Sequence, residues 1–215
     1  MKPTLLFALF CGACSATGDT ASTTPVEVRV IEAALLQDDS GTQTLTPEQA
    51  AAYAHFVEPG DQHRELAALA GHWEAKMLIW MEPGTVPLEE RFSSHIQMIL
   101  GGRYMVEDVV GSVMGQEFEG HMSMAYNNAT KEYFSTWYDT LGTGWSVSTG
   151  TRTSDGALHM TGLVQDFMSP NGRPYRSVMH PAEDHNSFRV EVFSGQPDGS
   201  EFKNMELLYQ RQLNR

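Results

Sequence analysis

The stretch Gly71-His72-Trp73-Glu74-Ala75-Lys76-Met77-Leu78-Ile79 decides how the rest of the chain is read. Its residues alternate apolar and polar, the period-two signature of a strand with one buried face. Trp73, Ala75, Met77 and Ile79 share one side, and Glu74 and Lys76 point the other way. The stretch reads as the first strand of a closed antiparallel barrel.

Downstream, turn signals recur at near-regular intervals: Pro83-Gly84, Gly101-Gly102, Gly115-Gln116, Asn127-Asn128, Gly142-Thr143-Gly144, Asp155-Gly156, Pro170-Asn171-Gly172, Glu183-Asp184 and Pro197-Asp198-Gly199. Nine breaks separate ten β-branched, aromatic and Met-rich runs. The expected fold is therefore all-β, a ten-stranded antiparallel barrel over residues 61–215. Phe92, Ser94, Ile96 and Met98 oppose Ser93, His95 and Gln97. Phe118, Gly120, Met122 and Met124 oppose Glu117, Glu119, His121 and Ser123, and Phe188, Val190 and Val192 oppose Arg189 and Glu191. No repeat of solenoid or propeller length is visible.

Upstream, Thr46-Pro47-Glu48-Gln49 is a capping box with proline at the first helical position, which predicts a helix to about Phe56 within a helical lead-in over residues 46–60. Pro59-Gly60 ends it, and Asp61 caps a second short helix whose Leu66 and Leu69 close one end of the barrel. Residues 15–45 begin with a small, polar run from Ser15 to Thr24 that cannot bury enough surface to order itself, and read as a flexible tether. Val26-Glu27-Val28-Arg29-Val30 alternates briefly and could add a strand.

Residues 1–14 carry Lys2 and then the apolar run Leu5 to Phe10, far short of the roughly 20 residues that span a bilayer. They read as a secretory signal. Cys11-Gly12-Ala13-Cys14 resembles a bacterial lipobox, which implies a lipid-anchored protein on the periplasmic side of the envelope, with Cys14 as the lipidated first residue of the mature chain. The alternatives are ordinary signal cleavage near Ala16 and a C-x-x-C redox or metal pair. Processing at Cys14 leaves no other thiol in the mature chain. The 215 residues are 41% hydrophobic, enough for one sizeable core, and 14 basic against 27 acidic side chains leave a net charge of −13. Such a chain has no basic surface with which to neutralise a phosphate backbone, so nucleic acid is not an expected partner.

Gly71-x-Trp73 in the first strand and Arg211 after Leu207-Leu208-Tyr209 in the last are similar to the calycin pattern of lipocalins. There an arginine of the final strand packs across the opening tryptophan at the closed barrel end, which makes Gly71, Trp73 and Arg211 structural positions. More closely, the run from Pro59 to Arg211 resembles the bacterial family called domain of unknown function 1579. The matching segments are Gly71-His72-Trp73, Trp80-Met81-Glu82-Pro83-Gly84, Ile99-Leu100-Gly101-Gly102-Arg103, Met114-Gly115-Gln116-x-Phe118-Glu119-Gly120, Tyr133-x-Ser135-Thr136-Trp137-x-Asp139, Gly142-Thr143-Gly144, and Pro197-Asp198-Gly199 before Glu201-Phe202-Lys203. The resemblance implies a fold and no activity.

Chemistry is sparsely signalled. No H-x-H or H-E-x-x-H appears, and no metal site is expected. His95, His121 and His159 fall on the polar faces of their strands and read as solvated. Haem is an alternative because nitrobindin, a similar ten-stranded barrel, opens with Gly-x-Trp and binds haem through one histidine; His180 is the candidate axial ligand here. There is no G-x-S-x-G, so catalysis ranks last among the readings. Asp139, on one face with Tyr133, Ser135 and Trp137, is the acid to watch, against a plain role in capping the next turn. A binding cavity is better motivated, since small barrels can hold one small ligand. Met77, Met98, Met122, Met124 and Met160 fall on inward faces, with flexible thioethers that adapt to apolar shapes. Met122, Met124, Trp137, Asp139 and Trp145 are the expected ligand-binding residues, for a small apolar or amphipathic molecule. The alternative is a barrel filled by its own side chains, as in a structural envelope protein.

Overall fold

The structure, a computed structural model, describes residues 45–167, 169–181, 186–195 and 200–212. Cys11, Cys14, the Val26–Val30 run, the tether up to residue 44, His185 and the turns at 183–184 and 197–199 lie outside the described residues.

Two short helices precede ten strands: α1 (Pro47–Val57), α2 (Asp61–Ala67), β1 (Gly71–Ile79), β2 (Leu88–Ile99), β3 (Tyr104–Val113), β4 (Gln116–Asn127), β5 (Glu132–Asp139), β6 (Ser146–Arg152), β7 (Leu158–Val164), β8 (Arg173–Pro181), β9 (Ser187–Gly195) and β10 (Glu201–Arg211). Each strand pairs antiparallel with its sequence neighbour, and β1 closes the cylinder against β10 through Trp73↔Arg211 to Ile79↔Met205. Closure pairs every edge, which is how a ten-stranded meander avoids exposing unpaired backbone groups. The ten-stranded antiparallel barrel expected from the turn spacing is the fold observed.

Local chemistry sets the ends of these elements. Thr46 and Gln49 form the reciprocal capping box that starts α1. Gly60, rather than Asp61, is the N-cap of α2, because His63 Nδ1 accepts the Gly60 N–H at 3.0 Å. β3 and β4 are joined by Met114-Gly115 alone, with φ of 52° and 78°, the paired positive values a tight twisted hairpin demands.

A meander places alternate hairpins at opposite ends. Gly71, α2, the β2–β3, β4–β5 and β6–β7 connections and Arg211 lie at one end, here the closed end. The β1–β2, β3–β4, β5–β6 and β7–β8 connections lie at the other, the open end. The core sits toward the closed end, where Leu66, Trp73 and Leu158 are completely buried, with Ala75, Ile96, Met105 and Tyr133 nearly so.

Candidate functional site

The closed end is built as a plug. Trp73 stands on the inner face of β1 and donates from Nε1 to Leu69 O at 2.8 Å. The guanidinium of Arg211 lies 4.2 Å from the indole centroid and donates to Ala70 O and Ala68 O, each at 2.7 Å. Gly71 makes room for this clamp: its φ is 139°, and a Cβ there would sit 2.7 Å from Arg211 Nη1. Phe188 meets Trp73 edge-on at 4.8 Å and stacks on Tyr209 at 4.1 Å. On the far side, the Tyr133 hydroxyl donates to Glu65 Oε2 at 3.0 Å, and Arg152 Nε lies 3.0 Å from the same oxygen. Burial and the Glu65 charge push the Tyr133 phenol up to about 12.

One acid sits inside the plug. Glu107 of β3 is only 3% exposed, and its Oε1 accepts from Ser94 Oγ at 2.6 Å, while the buried Tyr209 hydroxyl also hydrogen-bonds the carboxyl. Burial raises the Glu107 carboxyl above its ordinary value, against the pull of those two hydrogen bonds. Burial and the neighbouring carboxyl likewise raise Tyr209. The alternation in Met105-Val106-Glu107-Asp108-Val109 carries the only sequence signal for this group, because the inward positions Met105 and Val109 bracket Glu107.

Above the plug the inner wall changes character. Ile79, Met205, Leu207, Val190 and Val192 point inward from β1, β10 and β9, yet each is only part-buried. The upper half of the interior, the cup, is therefore less completely filled along β1, β10 and β9 than the plug is. The opposite wall carries hydroxyl groups from β5 and β6: Ser135 and Ser148 share a hydrogen bond at 2.8 Å, and Ser146 follows, while Ser177 and Tyr175 of β8 adjoin the aliphatic wall beside Val192 and Ser194. One wall is aliphatic and the other can donate and accept hydrogen bonds, which suits a molecule with two chemical sides.

The residues expected to bind a ligand fall in different places. Register sets Met122 opposite Trp137 and Gly120 opposite Asp139, so these share one wall of the cup. Met124, next down β4, is buried against the plug, whereas Met122 is part-exposed. The Trp137 indole lies flat over Gly120, where a Cβ would come within 2.4 Å of the ring, and stacks toward Phe118 at 6.4 Å. Its Nε1 donates to Asp139 Oδ2 at 2.7 Å, and Leu141 N donates to Asp139 Oδ1 at 2.9 Å. Asp139 thus orients the indole and caps the turn. Trp145 stands on the loop before β6, half exposed, away from the inner wall.

His180 lies on the outer face of β8 with Nε2 3.1 Å from Glu191 Oε2. His72, His95, His121 and His159 also face outward, so among the described residues no strand histidine enters the cup. The described inner wall therefore does not fit a haem held there by a histidine. Two other hollows lie outside the cylinder near its closed end. One, about 250 Å3, runs between the end of α1 and β3 to β5. Its polar groups are committed to holding the helical lead-in: Asn128 Nδ2 donates to His55 O, Phe56 O and Glu58 O, and Arg103 Nη2 donates to Val57 O. The other, about 360 Å3, is bordered by His180, engaged with Glu191, and Gln210, engaged with Asn186 O.

A family model described as "Protein of unknown function (DUF1579)" matches residues 58–211. Among solved structures, the crystal structure of Rv2717c from M. tuberculosis is similar, with a TM-score of 0.53 and 11% identity over 73% of this chain and 100% of that one; at this identity the likeness is one of fold. No curated protein matches.

Proposed function

The chain belongs to this family of proteins of unknown function, and from that premise we propose that it is an exported, lipid-anchored barrel that holds one small amphipathic molecule in its cup without covalent chemistry. The observation that carries the reading is the inner wall of β1, β10 and β9: inward side chains around Trp73 are sealed, whereas Ile79, Val190, Val192, Met205 and Leu207 above it keep part of their surface, although Phe92, Phe118, Ser146 and Ser194 are buried. The two-sided wall and the locked Trp137 indole support it, since a rigid aromatic surface in a concave, mostly apolar site gives contact area at little entropic cost.

The test uses the full chain with Cys14→Ser, titrated with an apolar fluorescent dye. Saturable one-to-one binding that weakens about tenfold in Trp137→Ala, a loss of about 1.4 kcal/mol, supports the cup as the site. Absence of saturable binding to the native chain, as a filled barrel requires, overturns it. Membrane attachment through Cys14 rests on the lipobox-like segment, and a mass spectrum of the native N-terminus checks it: a diacylglyceryl-modified Cys14 is the expected species, and a free terminus near Ala16 contradicts the anchor.

A further inference from the structure

The most exposed large apolar side chains of the barrel collect at one end. On the β1–β2 loop Met81 is 73% and Val86 92% exposed, on the β3–β4 turn Met114 is 69%, and on the β7–β8 loop Phe167 is 84%. Leu141 and Trp145 on the β5–β6 loop add two more, half exposed. All four described hairpins of the open end therefore carry at least one. At the closed end, among the described residues, Leu100 and Ile99 of a single hairpin and Tyr53 and Phe56 on α1 are the counterparts. Solvated apolar groups gathered in one region of a water-soluble surface mark contact with another apolar phase.

We propose that this rim is a bilayer-docking surface, seating the mouth of the cup on an electrically neutral, zwitterionic lipid surface. Three observations select that occupant. The side chains stand on separate loop tips around an opening and form no continuous groove, so no single rigid surface complements them, whereas fluid acyl chains fill the space around each tip. Charge points to neutral lipid. Glu82, Glu89 and Glu117 are exposed on the open-end loops and strand ends, and cations of the upper strands are paired: Lys76 with Glu89, Arg173 with Asp166 and Arg176 with Glu201. With a net charge of −13, an anionic surface would be repelled. The rim is also continuous with the aliphatic wall of Ile79, Met205 and Val192, an apolar path from lipid into the cup. Exchange of an amphipathic molecule along that path rests on the ligand reading above; the docking does not.

The test is co-flotation of the full chain, with Cys14→Ser to remove any acyl contribution, with phosphatidylcholine vesicles. The native rim should float with the vesicles, and the triple variant Val86→Ser, Met114→Ser, Phe167→Ser should lose at least about tenfold in partitioning, with an unchanged melting temperature. Leu100→Ser at the other end should float like the parent, and phosphatidylglycerol in the vesicles should weaken binding. No flotation of the native rim overturns the proposal, as does equal flotation of the triple variant. Concentration-dependent pairing in solution that the triple variant abolishes, without flotation, assigns the rim to a second copy of the chain and overturns it too. The dye titration separates the two readings: flotation without dye binding removes the ligand and leaves the docking, and the reverse removes the docking alone.

Discussion

At the closed end of the barrel an indole, a guanidinium and a short helix meet: Trp73 donates to Leu69 O, Arg211 donates to Ala68 O and Ala70 O, Tyr133 donates to Glu65, and Arg152 is ion-paired with the same carboxylate. At the open end Val86, Phe167 and Met81 stand almost bare, and the wall beneath them keeps exposed surface. The same alternating strands supply both ends. The difference lies in what lines the cylinder: the Trp73, Phe188 and Tyr209 rings plug one half, while the other carries the part-buried aliphatic side chains of β1, β10 and β9 and the small Ser135, Ser146 and Ser148 across from them. Stability is thus concentrated at the closed end, away from the cup in which the proposed ligand would sit.

The sharpest break in that division would come from Trp73→Ala, which should cost about 3 to 5 kcal/mol, a large share of the roughly 5 to 15 kcal/mol that holds a domain together. Urea denaturation should show a collapsed midpoint, and a near-native midpoint would mean the plug is not where stability resides. Arg211→Met should cost about 2 to 4 kcal/mol, because it removes the contact over the indole and leaves two carbonyls short of a donor. Arg211→Lys should recover little, since a single ammonium cannot serve both carbonyls and the ring.

Gly120→Ala tests the boundary between the halves. The added methyl meets the Trp137 ring, so a cost of about 1 to 3 kcal/mol is expected from overpacking, together with weaker dye binding as the indole is displaced. Unchanged dye affinity with lowered stability would place Trp137 among the plug residues.

Glu107→Gln should show itself in pH dependence. Because burial raises the folded carboxyl above 4.5, the native state keeps a proton that the unfolded chain releases, and native stability falls as pH rises from about 4.5 through the folded value. The Gln variant lacks that fall. Its melting temperature should match the parent near pH 4 and exceed it progressively toward neutral pH. A gap that opens toward acid instead would contradict a carboxyl raised by burial. The smallest effect belongs to the rim: Phe167→Ser should stay within about 0.5 kcal/mol of the parent in the same denaturation series.

Much of this fold was legible in the sequence because its signals are local. Period-two alternation assigns Phe92, Phe118, Val190 and their neighbours to an inner face from a few residues each, and nine turn clusters set the strand number. The site was less legible. Glu107 is one of two adjacent acids, and alternation alone does not make an inward carboxylate stand out as buried against Ser94 and Tyr209, which arrive from other strands. His180 is flanked by Val178 and Met179, so hydrophobicity could not say which face it takes; Val178 is buried on the outer face that His180 shares. Trp145, expected with Trp137 near one mouth, stands on the open-end loop between β5 and β6, whereas Trp137 lies on the inner wall.

By itself the sequence determined the strand count and the faces, because alternation and turn chemistry are properties of short segments; the clamp of Arg211 on Trp73 was expected from the resemblance to the calycin pattern. Which residues meet inside was decided only by closure. The register of β1 on β10 and the shared direction of alternate hairpins bring Glu107 to Tyr209, and Val86, Met114 and Phe167 to one mouth. Those distances depend on the whole circumference of the barrel and are written in no single stretch of the chain.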